Sequence, residues 1–85
     1  MKLWLNEETG VLKSDVVGIF DLDSATVGQA TKKTLKRHET EGNLTVTTGD
    51  IPVSFVVVAR DSKTEIFLTR NAPRALRRRA ERRGI

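Results

Sequence analysis

Residues 53–60 read VSFVVVAR, and this stretch constrains the fold more than any other. Along an extended strand, Val53, Phe55 and Val57 point to one side, and Val56 and Val58 to the other. A strand apolar on both faces needs cover on both faces. The next residues, Asp61-Ser62-Lys63, form a hairpin turn, and TEIFLT (64–69) pairs back. Whatever else the chain builds has to enclose this hairpin.

The segments upstream supply candidates. KLWL (2–5) is a short strand with Leu3 and Leu5 on one face and Trp4 on the other. NEETG (6–10) is a turn, and VLK (11–13) a second, very short strand. After the break at Ser14-Asp15, VVGIFDL (16–22) is a clearer strand. Val16, Phe20 and Leu22 face one way, Val17 and Ile19 the other. Gly18 in its middle marks a bulge or a close approach of another backbone. A helix follows over 24–41, with Asp23 or Ser24 as its cap and Gly42-Asn43 as its stop. Its apolar face is thin (Val27, Ala30, Leu35), and Gly28 and several threonines weaken it, so it needs tertiary packing. LTVTT (44–48) alternates as a half-buried strand, and Gly49 to Pro52 is a turn. Asn71 caps a second helix over 72–83, with Pro73 in its first turn and Gly84 at its end.

The expected order is β-(β)-β-α-β-β-β-α, a fold of the α+β class. It implies a small, mainly antiparallel sheet with one packed helix and a basic C-terminal helix at 71–84. Helix 24–41 covers one face of strand 53–60. The second helix offers only Ala72, Ala75, Leu76 and Ala80. Some apolar sheet surface is left bare, so the expectation is a homo-oligomer.

A chain of 85 residues is one domain, 1–85, and buries only about 60% of its unfolded surface. It has no cysteine to staple it, which fits a cytoplasmic location. MKLWLNEETG lacks the pattern of a signal peptide, and no apolar run is long enough to span a membrane.

The net charge of +4 is unevenly spread. Residues 70–85 carry seven arginines and one glutamate, a net of +6; the other eight basic and ten acidic residues give −2. Six of those arginines fall between Arg74 and Arg83. Such asymmetry implies a polyanion or an acidic protein surface as partner. At helical spacing, Ala72, Ala75, Leu76 and Ala80 form one stripe. Arg74, Arg78 and Arg82 line one flank, with Arg77, Arg79 and Arg83 around the rest. Arginine throughout suits two-pronged phosphate contact. The stripe opposite is alanine-rich, unlike the bulky apolar face of a membrane-surface helix. No aromatic residue is interleaved among the arginines, which favours duplex backbone over stacked single-stranded bases. The bland alternative is a solvated, frayed tail. A secondary basic patch, Lys32, Lys33, Lys36 and Arg37, lies on the outer face of the first helix, where surface helices carry such charge routinely.

Catalytic constellations are weak. VVGIFDLDSATV resembles the first motif of haloacid-dehalogenase-type phosphatases, with Asp21 as nucleophile and metal ligand and Asp23 as general acid. That family needs a larger parallel sheet, a downstream lysine and a second acidic pair, and here hairpins follow the helix instead. The plain reading is that Asp23 and Ser24 start a helix and Asp21 ends a strand in solvent. His38, the one histidine, has no nucleophile or acid converging on it and reads as a surface residue near a helix C-terminus. No phosphate-cradling loop or metal-ligand spacing is present. The expectation is no enzyme, no cofactor, no metal and no small-molecule substrate.

DVVGIFDLDSATV, the helix ending EGN, the turn GDIPVSFVV, the hairpin to IFLT and the closing ALRRRA together resemble the RemB branch of the RemA/RemB family, bacterial extracellular-matrix regulatory proteins. The resemblance runs over about residues 1–80. It implies a cytoplasmic, homo-oligomeric, LytTR-like α+β protein that binds DNA and regulates transcription of biofilm-matrix genes, with a ring as one form of the oligomer. One departure counts. The RemA branch carries DNA-contacting arginines in the turn that here reads Gly49-Asp50-Ile51-Pro52, so that site does not carry over. The candidate DNA-binding residues are therefore Arg74, Arg77, Arg78, Arg79, Arg82 and Arg83. The alternative is an assembly module whose basic helix docks on an acidic partner or a neighbouring subunit.

Overall fold

A computed structural model describes residues 1–22 and 29–81. The elements are β1 (Lys2–Trp4), β2 (Gly10–Leu12), a short 3-10 turn (Lys13–Asp15), β3 (Val16–Asp21), α1 (Gln29–Glu41), β4 (Leu44–Val46), β5 (Ser54–Arg60), β6 (Lys63–Thr69) and α2 (Pro73–Glu81). The expected start of the first helix, with Asp23 and Ser24, lies outside the described residues.

The class is α+β, built on a four-stranded sheet in the order β3-β5-β6-β4. β5 runs antiparallel to both β3 and β6. Its two apolar faces are covered from opposite sides of the sheet, Val56 and Val58 in the core cluster with Leu3 and Leu76, Phe55 and Val57 against Leu35 and His38 of α1. The β5–β6 turn holds Asp61 at φ 51° and Ser62 at φ 66°, both left-handed. A two-residue turn of that kind matches the twist of its flanking strands.

The sheet is mixed rather than wholly antiparallel. β4 lies parallel to β6, with Leu44 opposite Ile66 and Val46 opposite Leu68. β4 and β5, joined through the turn at 49–52, are not neighbours, because β6 sits between them. Backbone groups beyond both ends of β4 secure this: the Ile66 amide donates to the Asn43 carbonyl at 3.0 Å, and the Thr47 amide to the Leu68 carbonyl at 2.9 Å.

β1 and β2 form a separate antiparallel ribbon, Leu3 opposite Val11. Asn6 closes the ribbon, its Oδ1 accepting the Glu8 and Thr9 amides at 2.8 and 2.6 Å. The ribbon's inner residues Leu3, Leu5 and Val11 join Ile19, Val56, Val58 and Leu76 in one core cluster. Ribbon and α2 therefore cover the sheet face that the sequence left bare. The premise from which an oligomer was expected is altered: β1 and β2 are a lid, not further strands of the sheet.

Two expectations for β3 are corrected. The pairing shifts between Val16 and Gly18, which leaves Val17 as the extra residue of a bulge. Val17 is therefore exposed while Ile19 is buried, although simple alternation puts them on one face. The close approach at Gly18 comes from a side chain. A Cβ there would meet the Phe20 ring at 2.5 Å. That ring stacks on Phe55, centroids 5.1 Å apart.

The opposite sheet face carries Phe20, Phe55, Val57 and Ile66, and Leu35 and His38 of α1 line a cavity against them. His38 is buried, not on the surface. Its Nδ1 lies 2.8 Å from Asn43 Oδ1. The helix stop brings the two together: Gly42 at φ 82° turns the chain, and the Asn43 amide donates back to the His38 carbonyl at 3.0 Å.

Candidate nucleic-acid interface

α2 begins at a polar knot. Ser54 and Thr69, both fully buried, face each other across β5 and β6. Ser54 Oγ donates to the Asn71 carbonyl at 2.5 Å. Asn71 Nδ2 donates to the Leu5 carbonyl at 2.6 Å and to Thr69 Oγ1 at 3.1 Å. Asn71 was expected to cap the helix. Its side chain instead ties the ribbon to the sheet, and the first turn closes through the Ala72 carbonyl, which accepts the Leu76 amide at 3.1 Å. Pro73 in that turn forfeits no hydrogen bond, because its nitrogen would have had no helical partner.

Leu76 anchors the helix, with essentially none of its surface exposed. Ala80 packs beside it. The sequence credited this stripe with little cover, yet one leucine fills the gap between ribbon and β3. Arg74 and Arg78 lie about 160° around the helix from Leu76, one on each side, and both are exposed. Among the described residues no hydrogen bond engages either.

Arg77 and Arg79 are differently placed. The Arg77 guanidinium donates to the Ile19 carbonyl of β3 at 2.7 Å. β3 is an outer strand of the sheet, so Arg77 occupies a backbone acceptor that faces away from β5. Arg79 donates to the Trp4 carbonyl of β1 at 3.3 Å. Both clamp the helix to the body while remaining largely in solvent. Arg70, just before the helix, donates to the Ile51 carbonyl at 2.8 Å. Arg82 and Arg83 lie outside the described residues.

Lys32, Lys33, Lys36 and Arg37 are exposed on α1. α1 packs on the Phe55 face of the sheet and α2 on the Val56 face. The two basic groups thus lie on opposite sides of the sheet and do not form one surface. Asp21 ends an outer strand that pairs antiparallel with β5, unlike the parallel strand of the phosphatase motif, and Asp23 lies outside the described residues. Among the described residues no three acidic or histidine side chains gather to hold a metal ion, and no helix is long and apolar enough to cross a membrane.

Sequence reasoning missed the Ser54–Thr69–Asn71 knot. A serine at the start of an apolar strand and a threonine ending its partner were the available signal. No protein-family model matches the chain, and no curated protein matches it.

Proposed function

We propose that this protein binds duplex DNA through the outer face of α2 and acts as a transcriptional regulator. The observation that carries the reading is the two-sided helix: Leu76 is sunk in the core, and Arg74 and Arg78 point away from it with no partner among the described residues. A helix fixed on one side and cationic on the other presents charge at a defined position, which a frayed tail does not. Arg82 and Arg83 extend the charge by sequence. Arg77 and Arg79 hold the helix in place and add charge at its flanks. Such contacts give affinity with little sequence information. The resemblance to the RemB branch supplies the rest of the proposal: a LytTR-like, cytoplasmic homo-oligomer acting on biofilm-matrix genes. Val17, Phe20, Val46 and Ile51 are exposed apolar residues that a subunit contact would cover, and an oligomer would multiply weak contacts.

The test is binding to a labelled duplex over a salt series, comparing the full chain with Arg74→Ala/Arg78→Ala. Each phosphate contact contributes a slope of about −0.9 in log K against log salt. Loss of two contacts makes the slope shallower by about 2 while the protein keeps its melting temperature. Equal slopes for the two proteins would reject the reading.

A second reading is favoured by one observation. Arg77 and Arg79 spend their hydrogen bonds on the body of the protein itself, so part of the charge serves internal docking. In that case α2 completes an assembly module, and its outer arginines meet an acidic partner or a neighbouring subunit. Full-chain protein that fails to bind DNA at low salt, yet sediments as an oligomer dispersed by Arg74→Glu/Arg78→Glu, supports this reading.

A further inference from the structure

The fold brings an aromatic side chain to the basic helix that the sequence does not. Trp4 is the only tryptophan in the chain and lies at its opposite end. The residue is half exposed. One side of the indole rests on Gly10, where an added Cβ would meet the ring at 2.9 Å. The Lys2 ammonium stands 5.5 Å from the ring centroid. Arg79 of α2 is hydrogen-bonded to the carbonyl of the same residue. Beside the ring opens a concavity of about 370 Å³, lined by Trp4, Leu5, Asn6, Glu7, Asn71 and Arg79.

We propose that Trp4 is a stacking platform for an unpaired nucleobase, flanked by Lys2 and Arg79 as phosphate contacts. The inference rests on the DNA reading of α2 and narrows its substrate: nucleic acid with a single-stranded or opened stretch. Three features support it. The indole is fixed rather than floppy, because Gly10 gives it a flat seat. A cation on a flexible stem already sits at its ring, and such a group is readily displaced by a base and then freed for the adjoining phosphate. Arg79 lines the concavity, where Glu7 is the one carboxylate, and Lys2 stands over the ring outside it, so two cations lie around the indole. Sequence-tolerant binding of single strands combines these parts, an aromatic face and a basic track beside it.

The experiment uses the full chain, a single-stranded oligonucleotide and a duplex carrying the same number of phosphates. Binding is read by anisotropy of labelled DNA, and stacking by the fluorescence of the single tryptophan. The expected result is that the single strand quenches Trp4. Trp4→Ala, checked by circular dichroism, then binds the single strand about tenfold more weakly with an unchanged salt slope, and binds the duplex as before. Trp4→Phe, which keeps a ring, recovers part of the loss. If both oligonucleotides bind while Trp4 fluorescence is unmoved and Trp4→Ala binds equally well, the platform is rejected and the α2 reading stands. Failure of both oligonucleotides to bind at low salt overturns the two together.

Discussion

Two residues hold the backbone of the central hairpin in a conformation that L side chains resist. Asp61 and Ser62 both have left-handed φ. Such a conformation costs roughly 1–2 kcal/mol for most residues, and less for aspartate, whose side chain bonds locally. Ser62 is the poorer fit. Ser62→Gly removes its strain, against about 0.5–1 kcal/mol of added chain entropy in the unfolded state. A net gain of about 0.5–1 kcal/mol is expected, read as a rise of about 3–5 °C in melting temperature. Gly18 is the reverse case. Gly18→Ala forces the Phe20 ring off its seat and off Phe55. A loss of about 1–2 kcal/mol by urea unfolding is expected, since the stack and its burial go together. Residue-scale features of this kind were partly legible. Gly18 in an apolar strand announced an irregularity, but the direction of the bulge depends on Val58 pairing with Val16, which no local pattern encodes. His38 shows the same limit. It is buried on the sheet side of α1, where it lines a cavity with Phe55, Val57 and Ile66, and its ring meets Asn43 Oδ1, which the helix stop brings to it. The stop was readable from Gly42-Asn43, but not which side of the helix it would close.

At the scale of elements, α2 has a buried face and an exposed cationic face, and the two separate by mutation. Leu76→Ala opens a cavity beneath the ribbon and is expected to cost about 2–5 kcal/mol. Arg74→Ala/Arg78→Ala touches nothing described in the body and is expected to change stability by less than about 0.5 kcal/mol. Arg77→Ala falls between, because the Ile19 carbonyl loses a charge-assisted donor on the outer edge of the sheet; about 1 kcal/mol is expected. Chemical unfolding of the three variants ranks them, and a stability loss in Arg74→Ala/Arg78→Ala equal to that of Leu76→Ala would contradict the two-faced helix. Cutting the chain after Thr69 is a poor probe of function by the same reasoning, since it removes Leu76 and Asn71 and uncovers the core. The existence of β5, its hairpin to β6 and the basic helix could be read from periodicity and turn residues. The partner of β4 could not. Leu44–Val46 is three residues long, and its pairing is set by where Asn43 and Thr47 find backbone partners on β6. The ribbon was likewise visible as two short strands, yet nothing local says that it packs over the sheet rather than joining its edge. The division of the arginines into clamping and outward-facing ones was also beyond the sequence, because Arg77 and Arg79 are separated from Arg74 and Arg78 only by what lies beneath the helix.

In the whole molecule, the sheet divides the positive charge. α2 lies on the face with Ile19, Val56 and the ribbon, and α1 on the face with Phe55 and Ile66. A duplex is stiff over tens of base pairs, so it cannot lie against both helices of one protomer without wrapping around the sheet. Under the proposed duplex binding, one patch dominates in a single protomer, and the division between the two is measurable. Charge reversal on α1 (Lys32→Glu/Lys36→Glu) is expected to leave duplex affinity within about threefold of the unaltered chain, through long-range attraction alone, which salt screens over about 10 Å at 0.1 M. Arg74→Glu/Arg78→Glu is expected to lower it at least about a hundredfold, because two contacts are lost and two repulsions gained. Both variants keep their buried residues, so melting curves should superimpose on that of the unaltered chain. Equal losses from the two reversals would mean that DNA reaches both faces at once. That outcome requires bent DNA or several subunits around one duplex, and sedimentation of the DNA complex would separate the two by its mass.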